Sequence, residues 1–453
     1  MEEIIPYIEQ SWREMASEES IRTTTIIVED VVPGDIFKAA LAASKIVVTA
    51  FNTHIAQALV SLRSRYYVDT PFIFYLHGFA SVACWPMKKW GVLDVWSEQD
   101  IFISSAKRDL DLFNISIKTK NAFVVPFALL DEIKIDETQK LNTNHISLYY
   151  VGRISEQKNL HSLFWALAIY LKKSQNRNIS LDVFGSEDNL GSPNMGRRSG
   201  PYLQILLKLV HELGLNDVVI FHGYTDRNKI VDKIQVGRRV FISTSLHADE
   251  NFGMAALRAL SMGHSAILSD WGGHSDYLET FKEKVHLVDV QVSKTGPFLV
   301  IPELVKKIEK LTKDHNGESV NLRPSYYQFS SIKEQLKLIF NHQDLSSIQY
   351  SDYIDILVKR WDQNKAESHS SRVFSSFEDE VFHRFSMAYA GRDNYYNDAS
   401  KGELMMAPWV ATAEDEVVIE DPHRGTKVLL GLTVSDNEKW LTENGYAFSQ
   451  FDF

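Results

Sequence analysis

Cysteine is nearly missing from this chain: Cys84 is the only one in 453 residues. An intramolecular disulfide and a thiolate metal cluster are therefore excluded, and the usage suits a reducing compartment. Long apolar runs are missing as well, since nowhere do the roughly 18 uncharged apolar residues of a membrane-crossing helix follow one another. The opening MEEIIPYIEQSWREM has neither the basic start nor the apolar stretch of a signal peptide. A cytoplasmic protein is expected, with peripheral contact at the inner face of a membrane left open. Basic residues are in deficit, 48 Lys and Arg against 59 Asp and Glu for a net charge of −11. That balance argues against a nucleic-acid partner bound by a cationic surface. Internal repeats and low-complexity tracts are absent too. What is present is apolar material enough for roughly two to four domains, each with its own core.

Apolar patterning divides the chain into two alternating series. Before residue 145, Thr24–Val28, Ile46–Thr49, Phe72–Leu76 and Ile101–Ser104 read as buried strands, and Ala56–Arg65 and Ala106–Phe113 carry helical periodicity. A helix over residues 4–16 opens this series, where a doubly wound domain ordinarily opens with a strand and a glycine-rich turn. From Ser147 the alternation is cleaner. Strands are expected at Ser147–Val151, Ser180–Phe184, Val218–Phe221, Val240–Ser243 and Ala266–Ser269. Helices are expected at Leu160–Lys172, Tyr202–Leu213, Asp226–Gln235 and Met254–Met262, with Gly214 and Gly263 as stop signals. Such alternation predicts an α/β fold with parallel, doubly wound sheets. The polar stretch 136–145 is the expected linker. The domains are then a first lobe over residues 1–140, a second over 146–342 closed by an amphipathic helix at 326–341, and an accessory C-terminal region over 343–453. In that region Tyr353–Trp361 and Phe377–Tyr389 suggest helices and Val428–Val434 a strand, and a protein partner has room to bind there.

Two stretches of the second series concentrate the chemistry. In Ser243–Gly273, STSLHADENFGMAALRALSMGHSAILSDWGG, a strand ends, a loop follows, and a helix begins near Met254. Loops at the carboxyl edge of a parallel sheet are where open α/β folds bind ligands. The backbone N–H groups of Phe252, Gly253 and Met254 fall at the first turn of that helix, an end that favours a phosphate or a sugar hydroxyl. Gly253 permits close approach of a ligand. Glu250 offers a carboxylate to sugar hydroxyls, or alternatively complements the helix dipole. In VGRISEQKNL (residues 151–160), Arg153 and Lys158 follow a strand and Gly152. The two cations converge on one diphosphate or, taken alone, are solvated surface charges.

With these residues in place the chain resembles a known family. GR-x4-K, DVFGS, FHGY, E-N-FG-M-x4-A-L-x2-G and SDWGG, in that order, look like the second lobe of glycosyltransferase family four, of GT-B fold. The likeness is good over about residues 145–342 and weaker over about 40–130. It implies two Rossmann-like lobes with a cleft between them, and transfer of a sugar from a nucleotide-sugar donor with retention of anomeric configuration. By position, Arg153 and Lys158 hold the donor diphosphate, and Glu250 and Asn251 bind the donor sugar beside the amides of Phe252 to Met254. Gly152 and Gly185 let the nucleotide approach, and Gly223 and Tyr224 face its base. YLHGF (residues 75–79) resembles the family's T-x-H-G, which places His77 at the reaction centre; a lone strand-end histidine is otherwise structural. Lobe closure is expected to bring His77 toward Glu250. The acceptor implied is a glycan, glycolipid or protein-linked intermediate, and no metal cofactor is required where two cations neutralise the diphosphate. Loss of Glu250 or Lys158 is expected to cut transfer by orders of magnitude and leave folding nearly intact, both being taken as partly exposed.

Three departures stand against this likeness. The family's second glutamate, eight positions after the first, is Arg258 here, and arginine cannot accept hydrogen bonds from ribose. The glycine-rich first turn has no counterpart, and the last hundred residues lie outside the likeness. They motivate an alternative, a catalytically weakened relative serving as a scaffold within a glycosylation complex. A phosphorylase-like activity is disfavoured because no lysine context for pyridoxal phosphate is evident. Arg197 and Arg198 either flank the cleft or are solvated. Trp85, Trp90 and Trp96 form either an acceptor platform or core packing. His274 and Asp276 are expected to fix a turn. No metal role is expected for His247, nor for the D-x-D of Asp109 and Asp111 within a helix. Arg63, Arg65, Lys88, Lys89, Lys107 and Arg108 are the candidate cations for a membrane surface.

Overall fold

Two parallel sheets organise the chain, each within its own unit. The computed structural model describes residues 4–77, 84–129, 145–174, 178–187, 202–235, 237–247, 250, 252–293, 296–313, 325–364 and 380–392, with 405–406, 418–421 and 426–429. One unit comprises Met1–Glu132 and Pro324–Val373, the other Ile133–Arg323 and Phe374–Phe453. Residues 343–453 are thus divided between the two.

In the first unit β1 (Ile46–Val48), β2 (Phe72–Tyr75), β3 (Ile101–Ser104) and, beyond the short β4 (Ile117–Lys118), β5 (Ala122–Val124) form a parallel sheet in the order β1-β2-β3-β5. Every residue of β2 and β3 is buried, which is why FIFY and IFIS are apolar runs without alternation. Thr24–Val28 forms no strand. Its threonines are exposed and Val28 opens a 3-10 turn; a β-branched run without a strand partner to bury it stays irregular. The opening helix, Ile5–Glu18, is present, and its Trp12 indole donates to the Tyr75 hydroxyl of β2 at 2.9 Å.

The expected helix at 326–341 is Phe329–Phe340, and it packs on Ile5–Glu18 in the first unit, not on the second lobe. Lys333–Glu18 and Lys337–Glu19 ion pairs, each 2.5 Å, fix the register of the two helices. Apolar spacing identified the face that Ile332, Leu336 and Ile339 bury, but carries no information on what covers it. The helix Asp352–Asn364 also belongs to this unit.

The second unit holds β6 (Ile146–Val151), β7 (Ile179–Phe184), β8 (Val219–Gly223), β9 (Arg238–Ser243), β10 (Ser265–Ser269) and β11 (Val285–Val288), all parallel, in the order β11-β10-β9-β6-β7-β8. The chain moves outward from β6 through β7 to β8, then returns to the other side of β6 for β9, β10 and β11. The reversal between β6 and β9 is the switch point at which such sheets bind ligands. Helices Leu160–Lys173, Tyr202–Glu212 and Met254–Ser261 lie where the patterning placed them. Asp226–Gln235 is instead a 3-10 turn, Arg227–Lys229, followed by one helical turn, Ile230–Lys233, because the Asp226 side chain caps Asn228 and restarts the backbone. The helix Glu380–Ala390 joins this unit, and Thr426–Leu429 pairs antiparallel with Val418–Asp421. The linker residues 136–144 lie outside the described residues. Among those described, no helix is long and apolar enough to cross a membrane.

Candidate active site

Because β6 and β9 are neighbours, the loops that leave them are stitched together. Leu246 donates its N–H to the carbonyl of Gln157 at 2.8 Å, and the Thr244 hydroxyl donates to the carbonyls of Lys158 and Asn159. Asn159, with φ 57°, ends the loop in left-handed backbone before the helix Leu160–Lys173, and its amide donates to the Thr244 carbonyl. Asparagine tolerates that conformation better than most residues.

The stitching brings five charged or ionisable side chains together. The Lys158 ammonium donates to Glu250 at 2.5 Å, and the Arg153 guanidinium donates to Nε2 of His247 at 3.2 Å. Nε2 of His274 lies 3.5 Å from the other Glu250 oxygen. Burial pushes the Glu250 carboxyl up, but Lys158 and His274 outweigh it and hold the group well below the usual carboxylate range. His247 is held well below its ordinary value by burial first and then by the charges of Lys158 and Arg153. It is a neutral acceptor for Arg153. Below this cluster the Tyr150 hydroxyl donates to the Arg153 carbonyl at 2.7 Å, and burial followed by the Glu250 charge raises its pKa.

Two glycines have their reasons in the protein itself. Gly253, with φ +74°, precedes the helix Met254–Ser261, whose start no side chain caps. A Cβ there would meet the His274 ring at 2.8 Å, so what approaches Gly253 closely is an imidazole. At Gly185 a Cβ would collide with the Gly152 carbonyl, so this position is glycine for the neighbouring loop before any nucleotide enters. Gly152, Gly185 and Gly223 line one edge: Gly152 donates to Phe184, and Gly185 donates to Gly223 at 2.9 Å. Tyr224 follows, 82% exposed. Phe252 is buried, and its carbonyl accepts the Tyr277 hydroxyl. Arg258 sits partly exposed in the Met254–Ser261 helix. Asn251, Arg197 and Arg198 lie outside the described residues.

His77 lies two residues past the end of β2 in the first unit. It is buried between the rings of Tyr75 and Phe127, its Nε2 lies 2.8 Å from the Thr49 carbonyl, and burial lowers its pKa against that hydrogen bond. The tryptophans pack in the same unit's core. Trp96 stacks on Phe102 at 4.1 Å, and Trp90 faces Phe51 and Trp85. Three of the candidate membrane cations have other partners: Arg63 is buried against Asp100, Lys88 pairs with Asp94 and Lys89 with Asp362. Among the described residues no group of three His, Cys, Asp or Glu side chains is arranged to hold a metal ion.

His247 and His274 were missed as site residues because each meets its partner only across the fold. So was Asp182 of β7, which accepts from or pairs with His222 at 2.7 Å beside Gly223. The histidine that closes SDWGGH was the only available signal for His274.

This charged cluster lies in a segment with known relatives. Residues 131–321 match the family model of glycosyl transferases, group 1. The match supports a sugar-transferring enzyme and reaches well under half of the chain. No curated protein matches the chain. Among solved structures, the chain is distantly similar to the lipopolysaccharide outer core galactosyltransferase WaaB, at 14% identity and a TM-score of 0.47 over 68% of this chain and 78% of that one. TarM is similar at 14% identity and a TM-score of 0.45, over 63% of this chain and 53% of TarM, so the chain spans about half the length of that protein. The E. coli trehalose-6-phosphate structure bound with UDP-2-fluoro glucose is similar at 13% identity and a TM-score of 0.45, over 64% and 72%.

Proposed function

We propose that the chain is a retaining glycosyltransferase that moves a sugar from a nucleotide-sugar donor to a glycan, glycolipid or protein-linked acceptor. Its main support is the meeting of Arg153 and Lys158 with His247 and Glu250 at the reversal point of a parallel sheet, inside the segment that matches group 1 glycosyl transferases. In this scheme the diphosphate takes the Arg153 fork and the Lys158 point charge as counter-ions. Fixed positive charge at a departing diphosphate stabilises the transition state more than the ground state. Glu250, ionised throughout the physiological range, accepts hydrogen bonds from the donor sugar, and the first amides of the Met254–Ser261 helix stand beside it. The edge of Gly152, Gly185 and Gly223, with Tyr224, takes the nucleoside. A departing phosphate oxygen takes the acceptor proton as the acceptor attacks the same face, so no separate base is needed, and two protein cations make a divalent ion dispensable.

Incubation with a panel of nucleotide sugars, with and without chelator, tests this: nucleoside diphosphate is released by the intact chain and not by Lys158→Ala. Silence across the panel, with and without acceptors, leaves the second reading. Arg258, at the position from which the family's carboxylate reaches ribose, favours that alternative of a scaffold subunit.

A further inference from the structure

The backbone of Glu250 is backed, through Gly272, by a helix far outside the matched segment. We propose that the helix Glu380–Ala390 is a positioning element for Glu250, acting through Tyr389; the link to turnover rests on the donor-site reading above. Tyr389 is fully buried, and its ring stands edge-on to Trp271 with centroids 5.0 Å apart. Trp271 donates its indole N–H to the His247 carbonyl at 2.9 Å. Gly272, the next residue, leaves no room for a side chain: a Cβ there would collide with the Glu250 carbonyl and also meet the Tyr389 ring at 2.6 Å, so carbonyl and ring converge on the same side of this glycine. Gly273 then donates its N–H to the same Glu250 carbonyl at 2.8 Å.

One aromatic ring therefore presses on both residues that set the backbone at His247 and at Glu250. The helix that carries it is itself anchored. Arg392, just beyond its end, pairs with Asp289, donates Nε–H to the Val290 carbonyl at 3.2 Å, and gives its backbone N–H to Met387. Packed interiors transmit such contacts because they hold little free volume. Removing the ring leaves a cavity into which Gly272 and the Glu250 carbonyl relax. A displacement of about 1 Å in a group that binds the reacting substrate costs up to about a hundredfold in rate.

The test uses the full chain with Tyr389→Phe, Tyr389→Ala and Arg392→Gln. Two quantities are read: hydrogen exchange of the Gly273 amide, and nucleoside diphosphate release from the nucleotide-sugar panel. In Tyr389→Ala the Gly273 amide exchanges about tenfold faster or more, while amides of β6 and β7 keep their wild-type rates. Release falls about 10- to 100-fold in kcat with donor KM changed less than about threefold. Tyr389→Phe, which keeps the ring, restores both. Arg392→Gln loosens the anchor without opening the core and gives the same local rise in exchange, smaller in size, should the alanine variant not fold. Unchanged Gly273 exchange in Tyr389→Ala and Arg392→Gln overturns the proposal, as does faster exchange with full turnover. If the wild-type chain releases nothing from any donor, the transfer reading fails, and the exchange rates alone decide whether Tyr389 fixes the loop.

Discussion

The Nζ of Lys158 lies 2.5 Å from Oε2 of Glu250, although 92 residues separate the two in the chain. Their side chains are only 13% and 10% exposed, less than the patterning had led us to expect. Lys158→Ala or Glu250→Ala therefore strands a buried charge and lowers stability by about 3–5 kcal/mol, besides abolishing transfer. Lys158→Met combined with Glu250→Gln recovers most of that stability and none of the turnover. Urea unfolding of the three variants checks this; a single variant as stable as wild type removes the pair from the core of the site.

Gly253→Ala places a Cβ against the His274 ring in backbone of φ +74°. Left-handed backbone alone costs about 1–2 kcal/mol for a residue with a side chain, and the displaced imidazole adds to it. Adding His274→Ala opens the space and returns only the steric part. Urea midpoints of the single and double variants separate the two contributions.

His247 holds Arg153 as a neutral acceptor. His247→Leu keeps the bulk and deletes the acceptor, and kcat/KM for the donor falls about tenfold, a charge-assisted hydrogen bond being worth about 1.5–3 kcal/mol. His247→Gln, which restores an acceptor, falls less. Initial rates on the donor identified by the panel measure both; equal losses remove His247 from the support of Arg153.

Asp100 illustrates titration away from the site. Burial raises its pKa to about 6 from 3.8, against the opposing pull of the Arg63 guanidinium and the amides of Phe72 and Ser97. The folded chain holds this proton more tightly than the unfolded chain does. Its contribution to stability is full below the unfolded value of 3.8 and is lost as pH rises through about 6. Relative to Asp100→Asn, the wild type loses about 3 kcal/mol between pH 4 and 7, from a shift of about two units. Unfolding free energies of the two chains across that range give the difference directly, and a flat difference means that Asp100 titrates normally.

Strands β2, β3, β6, β7, β9 and β10 were legible because strands buried on both faces are short runs of β-branched and aromatic residues. Thr24–Val28 has the same composition and is irregular, since composition does not supply a neighbouring strand. The cations Arg153 and Lys158 and the carboxylate Glu250 were legible from their places after β6 and β9. That Lys158 would meet Glu250, and Arg153 would meet His247, depends on strand order, which no local pattern encodes. Tyr389 was legible as part of a helix, but not as a neighbour of Trp271 for the same reason. The helix Phe329–Phe340 was legible in length and face, and its partner helix, more than three hundred residues earlier, was not.

That pairing of Phe329–Phe340 with Ile5–Glu18 sets an order of events during synthesis. The helix Ile5–Glu18 and its sheet are synthesised before the whole of β6 to β11, and only afterwards comes the helix Phe329–Phe340 that packs on Ile5–Glu18. Until then the apolar side of that contact lacks its partner helix on a nascent chain, a state prone to sticking to other chains or to chaperones. The amino-terminal unit stays incomplete until residues 324–373 follow the whole of that second sheet.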